Sequence, residues 1–102
     1  MTVVCLVTAP TDRAEEIARA VLEPRLAACV NIVPKVRSLY WWEGAIQDDE
    51  EALLVIKTTS EQVEPIRAAL DTAHPYDTFE LVALDVSAGN PPYLRWIAES
   101  VR

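Results

Sequence analysis

The sequence predicts an α+β sandwich of split βαβ type: one four-stranded antiparallel sheet with two long helices on one face, an extended hairpin between the second and third strands, and a short C-terminal helix. Three observations carry this. Apolar, β-rich stretches of strand length at 2–8, 29–42, 45–59 and 79–86 alternate with two stretches of helical spacing at 12–23 and 60–73. Their order, β, α, β, β, α, β, places both helical connections on the same face of one sheet. A chain of 102 residues forms one domain, residues 1–102, with a moderate core and a use for further burial through self-association.

The elements follow in order. "TVVCLVTA" is β-branched and apolar up to Pro10, which reads as a strand buried on both faces. In "TDRAEEIARAVLEPRLAA", Asp12 is the expected N-cap, with Glu15 three residues on. Ala14, Ile17, Ala18, Val21 and Leu22 follow at helical spacing. "CVNIVPKVRSLYWW" and "AIQDDEEALLVIKTT" flank Glu43-Gly44 and predict a long β-hairpin turning at "EG". "SEQVEPIRAALDTA" puts Val63, Ile66, Leu70 and Ala73 on one helical face, and His74-Pro75 ends it, because a residue before proline avoids the α region. "FELVALDV" is the fourth strand. "GNPP" then offers Asn90 as N-cap and Pro91 as first helical residue of a helix turning Leu94, Ile97 and Val101 inward.

Composition narrows the function classes. Sixteen acids against nine bases give a net charge of −7, which repels phosphate backbones, so nucleic acid is not an expected partner. No apolar run approaches the ~20 residues that span a bilayer, and "MTVVCLVTAP" has no basic leader region. The expectation is a cytoplasmic protein with no membrane partner. Cys5 and Cys29, each in an apolar stretch, are expected to be free thiols. Gly44 and Gly89 are turn residues, so the chain has no glycine-rich phosphate cradle. An acylphosphatase-like hydrolase of this topology is excluded by the acid that "TAPTD" carries where an arginine is required.

Two features call for a partner. Both long helices cover one face of the sheet, yet the first, third and fourth strands are apolar on both faces. Residues 29 to 42 at ~3.3 Å each also reach ~45 Å, beyond the roughly 34 Å diameter of a sphere matching a ~13 Å radius of gyration. The tip carries Tyr40, Trp41 and Trp42. Adjacent tryptophans in a strand point to opposite faces, and both are expected at a subunit interface rather than on the chain's own core.

In order and spacing, "RLAACVNIVP", "SLYWWEG", "LLVIKTT", "HPYDTFEL" and "GNPPYLRWI" resemble the CutA family of divalent-cation-tolerance proteins over nearly the whole chain. The resemblance implies a ferredoxin-like fold, a homotrimer joined through its long hairpins, and a role in tolerance to copper and other divalent cations. The chain departs from the family pattern in three places. It has Val7 where copper-binding members can carry cysteine, Ala73 where they can carry histidine, and Phe79 before Glu80 where proline is usual. These changes remove soft ligands, so the expected copper affinity is weak.

The remaining question is what "HPYDTFE" does. His74, the only histidine, is the best transition-metal ligand, with Glu80 as second donor; copper is expected to bind more tightly than zinc and to depend on His74. Tyr76 and Asp77 could line a pocket with Cys29, although the same residues suit a turn, and the structural reading comes first. "DDEE" at 48–51 lacks the spacing of a calcium loop and reads as a solvated, edge-protecting run. No nucleophile, base and orienting acid can be assembled from sequence, and no cofactor is required. The expectation is a non-enzymatic binding or signalling module with weak copper affinity; an enzyme working in a subunit-interface cleft is the alternative.

Overall fold

The computed structural model describes residues 1–102. Strands β1 (Thr2–Ala9), β2 (Cys29–Trp42), β3 (Ala45–Thr59) and β4 (Val82–Asp85) and helices α1 (Ala14–Leu22), α2 (Val63–Ala73) and α3 (Pro91–Ser100) follow in the expected sequence. The sheet order is β2-β3-β1-β4, with every pairing antiparallel. This is the α+β, ferredoxin-like arrangement that the element order requires.

The core lies on one side of the sheet. Val3, Cys5, Val7 and Ala9 of β1 pair with Thr58, Ile56, Leu54 and Ala52 of β3, and all eight are buried. Ala14, Ile17, Ala18 and Val21 of α1 and Ile66 and Leu70 of α2 close over them. The other side of the same strands carries Val4, Leu6 and Thr8 opposite Lys57, Val55 and Leu53, all only half-buried. Leu84 and Val82 continue that side on β4 and are exposed. β1 is thus not buried on both faces within one chain, because the two long helices form a single layer. Helix α3 packs against β1 and β3 and buries Ile97 outside the main cluster.

Local chemistry explains the boundaries and two departures from expectation. Asp12 does not cap α1: Thr11–Arg13 form a 3-10 turn, and no side chain caps the helix. The chain leaves α1 through Arg25 at φ 61°. Leu26 N–H bonds to Val21 O at 3.0 Å and Arg25 N–H to Leu22 O at 2.9 Å, the bond pair of a Schellman closure. His74 is extended at φ −84° and ψ 134°, as its place before proline demands. β4 is shorter than expected, starting at Val82 rather than Phe79, because Phe79 turns away to stack on the His74 ring at 5.1 Å.

The hairpin is the feature that shapes the molecule. Glu43 and Gly44, at φ 50° and 78°, make a two-residue turn that joins Trp42 to Ala45 in register. One bulge interrupts the pairing: Val33 faces Leu53 and Val36 faces Glu51, so Pro34 and Lys35 together oppose Ala52. A proline with no N–H to donate fits this position. Beyond the bulge the two strands leave the body as an arm, and the molecule measures 44 × 27 × 21 Å. The arm does not fold its aromatics onto its own core: Trp41 is 72% exposed and Trp42 56%.

Candidate functional site

A cleft of about 710 Å³ runs along the arm from Arg37 to Trp42, between the arm, Thr8 of β1 and the loop after α2. Its position follows from register. The two-residue turn pairs Val36 with Glu51, Ser38 with Asp49 and Tyr40 with Gln47, so Tyr40, Asp49 and Glu51 share one side of the arm. Alternation along β3 makes that side continuous with Leu53 and Val55, the side of the sheet the helices leave open. The loop residues Tyr76, Asp77, Thr78 and Glu80 supply the facing wall.

The loop is held by its histidine. His74 is buried; its Nε2–H donates to Thr8 O at 2.8 Å, and its Nδ1 accepts from Tyr76 N–H at 3.1 Å. The ring also lies against Phe79 and Tyr76, with centroids at 5.1 and 4.8 Å. Both nitrogens are therefore committed within the chain, and neither offers a lone pair to a metal. Glu80 is placed elsewhere, on the cleft wall, where its Oε1 accepts from Thr8 Oγ1 at 3.4 Å. The structure thus divides the expected His74–Glu80 pair into a buried clamp and a cleft-wall carboxylate.

Tyr76 and Asp77 line the cleft, as the sequence suggested, but Cys29 does not. Cys29 pairs with Lys57 at the far end of β2, on the open side of the sheet, whereas Cys5 pairs with Ile56 on the helix side. The two thiols stand on opposite faces and are both free. Burial raises the Cys5 thiol above its usual range, which suits an inert core residue.

In the acidic run at 48–51, Asp48, Asp49 and Glu50 are exposed on the arm, as a solvated edge run would be, and each has a partner on β2. Asp48 accepts two bonds from Arg37, at 2.9 and 2.6 Å, and Glu50 lies 3.5 Å from Lys35. Asp49 accepts from Tyr40 Oη. Glu51 is 6% exposed, yet its one hydrogen bond is from Tyr76 Oη to Oε2 at 3.0 Å, and no cation faces it. Burial first, and then the bond to this carboxylate, push the Tyr76 phenol up to about 12. The Tyr40 phenol is raised chiefly by its bond to Asp49. Both phenols are donors at neutral pH, and neither supplies charge to the site.

Glu51 was not singled out from sequence, although period-two alternation through "EALLVIKT" already sets it in line with Leu53, Val55 and Lys57. No three His, Cys, Asp or Glu side chains converge as a metal-binding group would. Together with the committed imidazole, this donor set does not fit a tight divalent-metal centre. No helix is long and apolar enough to cross a membrane.

Comparison with known proteins agrees with this architecture. Residues 3–100 match the family model described as CutA1 divalent ion tolerance protein. The chain is 44% identical over 98 residues to the divalent-cation tolerance protein CutA of Thermus thermophilus, covering 95% of each. A solved structure of that organism's Cut A1 covers both chains fully at a TM-score of 0.96 and 43% identity. A CutA from Archaeoglobus fulgidus described as periplasmic gives a TM-score of 0.95 at 38% identity, again with full coverage of both chains. Mouse Protein CutA is 50% identical over 92 residues, which span 89% of this chain and 52% of that protein. The chain thus spans about half the length of the mammalian relatives it matches. It belongs to the CutA1 divalent ion tolerance protein family.

Proposed function

We propose that this CutA-family chain works as a homotrimeric, non-enzymatic binding or signalling module of the cytoplasm. The observation that carries the reading is the open side of the sheet, apolar from β3 through β1 to β4, from which an arm ending in Tyr40, Trp41 and Trp42 projects. A lone chain leaves that surface and the unpaired edge of the 14-residue β2 in water. Other copies of the same arm supply strands and aromatic anchors to cover both. The two free thiols, on opposite faces of the sheet, suit a reducing compartment.

Affinity for copper and other divalent cations is weak and rests on the general attraction of a −7 chain, not on a built centre. Light scattering after gel filtration is expected to give three times the 11.3 kDa chain mass. Calorimetric titration with copper and zinc is expected to show weak, salt-sensitive heats that survive in His74→Ala. A stable monomer would remove the module reading. Tight copper binding lost in His74→Ala would restore the imidazole as ligand.

A further inference from the structure

We propose that His74 is an acid-sensitive latch: a proton added to its Nδ1 in mild acid releases the Tyr76 N–H and frees the loop after α2. The latch needs neither the trimer nor a ligand.

The two bonds of the ring leave it one protonation state. A backbone carbonyl can only accept and a backbone N–H can only donate. Thr8 O at 2.8 Å therefore requires a proton on Nε2, and Tyr76 N–H at 3.1 Å requires a bare Nδ1. The imidazolium carries a proton on both nitrogens. It keeps the Thr8 bond and sets two donors against each other where the Tyr76 bond was. The ring is buried and lies against Phe79 and Tyr76, so packing, not water, surrounds the bond that fails.

The loop depends on that bond because its main chain has no other. Residues 75–81 take part in no backbone–backbone hydrogen bond. Side chains hold them instead: the His74 ring on Tyr76 N–H, the Tyr76 hydroxyl on Glu51 at 3.0 Å, and Glu80 on the Thr8 hydroxyl at 3.4 Å. Loss of the first leaves Tyr76 hung on its hydroxyl alone.

No charged group bonds to the ring. From α2 the Leu70 carbonyl accepts His74 N–H at 2.8 Å, and the last-turn acid, Asp71, is paired with Arg67 at 2.7 Å. β1 presents the Thr8 carbonyl, with Glu80 beyond the Thr8 hydroxyl. From β3, Glu51 reaches the ring only through the Tyr76 hydroxyl, and Asp77 of the loop lies on the cleft wall. These three carboxylates attract a positive ring, whereas the bonds that hold the loop require a neutral one. The two states of the latch follow from that opposition.

The chain has one histidine, so its imidazole signals are unambiguous. Long-range proton–nitrogen NMR spectra of the intact, tag-free protein, recorded from about pH 8 to about pH 5 alongside backbone amide spectra, test the latch across the range in which histidine titrates. The ring is expected to start as the Nε2–H tautomer with a bare Nδ1. On acidification the Tyr76 amide should shift together with the imidazole in one shared transition. Its solvent exchange, relative to the Cys5 and Leu54 amides and corrected for the ordinary pH dependence, should rise about fivefold or more, the scale of one lost hydrogen bond. His74→Asn supplies an amide oxygen to Tyr76 N–H with nothing to titrate, and is expected to keep the loop and abolish the transition. An Nδ1–H tautomer at the start, a Tyr76 amide that stays in place while the ring titrates, a ring still neutral at about pH 5, or a transition unchanged in folded His74→Asn overturns the proposal. If that variant does not fold, the tautomer and the shared transition of the unaltered protein decide.

Discussion

Strand β3 runs through two different environments. From Leu53 to Lys57 it is central in the sheet, paired with both β1 and β2, and Leu54 and Ile56 are fully buried under α1 and α2. From Ala45 to Glu50 it has β2 alone for a neighbour, and Ile46 is 62% exposed. Strand geometry and pairing are continuous; what changes is cover. In the body, apolar burial holds the strand at ~25 cal/mol per Å². In the arm, cross-strand contacts hold it, including exposed ion pairs such as Arg37–Asp48, which contribute little each. An isolated two-stranded ribbon is marginal in water. The contrast separates a helix-covered side of the body, closed within one chain, from an arm held by its own two strands alone.

The largest effect expected from that contrast is a matched pair of leucines. Leu54→Ala, at a fully buried site, is expected to cost roughly 3–5 kcal/mol of unfolding free energy. Leu39→Ala, on the arm and 62% exposed, is expected to stay within about 0.5 kcal/mol as long as the arm is free. Chemical denaturation of both variants measures the difference. A large loss at Leu39 means that the arm is buried by another chain in solution.

Next comes the joint between body and loop. His74→Ala leaves Thr8 O and Tyr76 N–H without partners and removes a stacked ring, so a loss of roughly 2–4 kcal/mol is expected. A change under about 0.5 kcal/mol, typical of an inconsequential surface site, would show that the ring is not the clamp.

The tip should behave in the opposite sense. Trp41→Ser and Trp42→Ser are expected to leave the fold intact by circular dichroism while weakening assembly by ~2 kcal/mol each, the scale of interfacial aromatic anchors. Unchanged assembly by light scattering would shift that role to the body's open face.

The smallest effect concerns Tyr76. Its phenol is raised from 10.0 to about 12, so its contribution is fully present below pH 10 and fades as pH climbs through about 12. Denaturation midpoints should fall over that window, and Tyr76→Phe should flatten the fall. An identical slope in the variant would assign the pH effect to another group.

Much of this was legible in the sequence. The hairpin ends at Cys29, Trp42, Ala45 and Thr59 follow from β-rich stretches meeting at a left-handed "EG" turn, and His74-Pro75 announces the end of α2. What escaped notice depended on tertiary contacts. Asp12 has the right chemistry for a cap, but a 3-10 turn occupies the position. Phe79 has strand propensity, but the His74 ring draws it out of β4. The arrangement of His74 depends on a carbonyl 66 residues away and could not be read locally. Glu51 looked like one more acid in a charged run; only strand register, carried across the arm from the turn, sets it beneath Tyr76.

Amide hydrogen exchange tests most directly whether the arm is completed by other copies. In the intact protein, amides of Val36–Trp42 and Ala45–Glu50 should be protected to a degree approaching that of Cys5, Val7, Leu54 and Ile56, because covered strands open only with the whole fold. Arm amides that exchange by local opening at a small fraction of the body's free energy, while the body stays protected, would contradict it and leave the arm a free ribbon in solution.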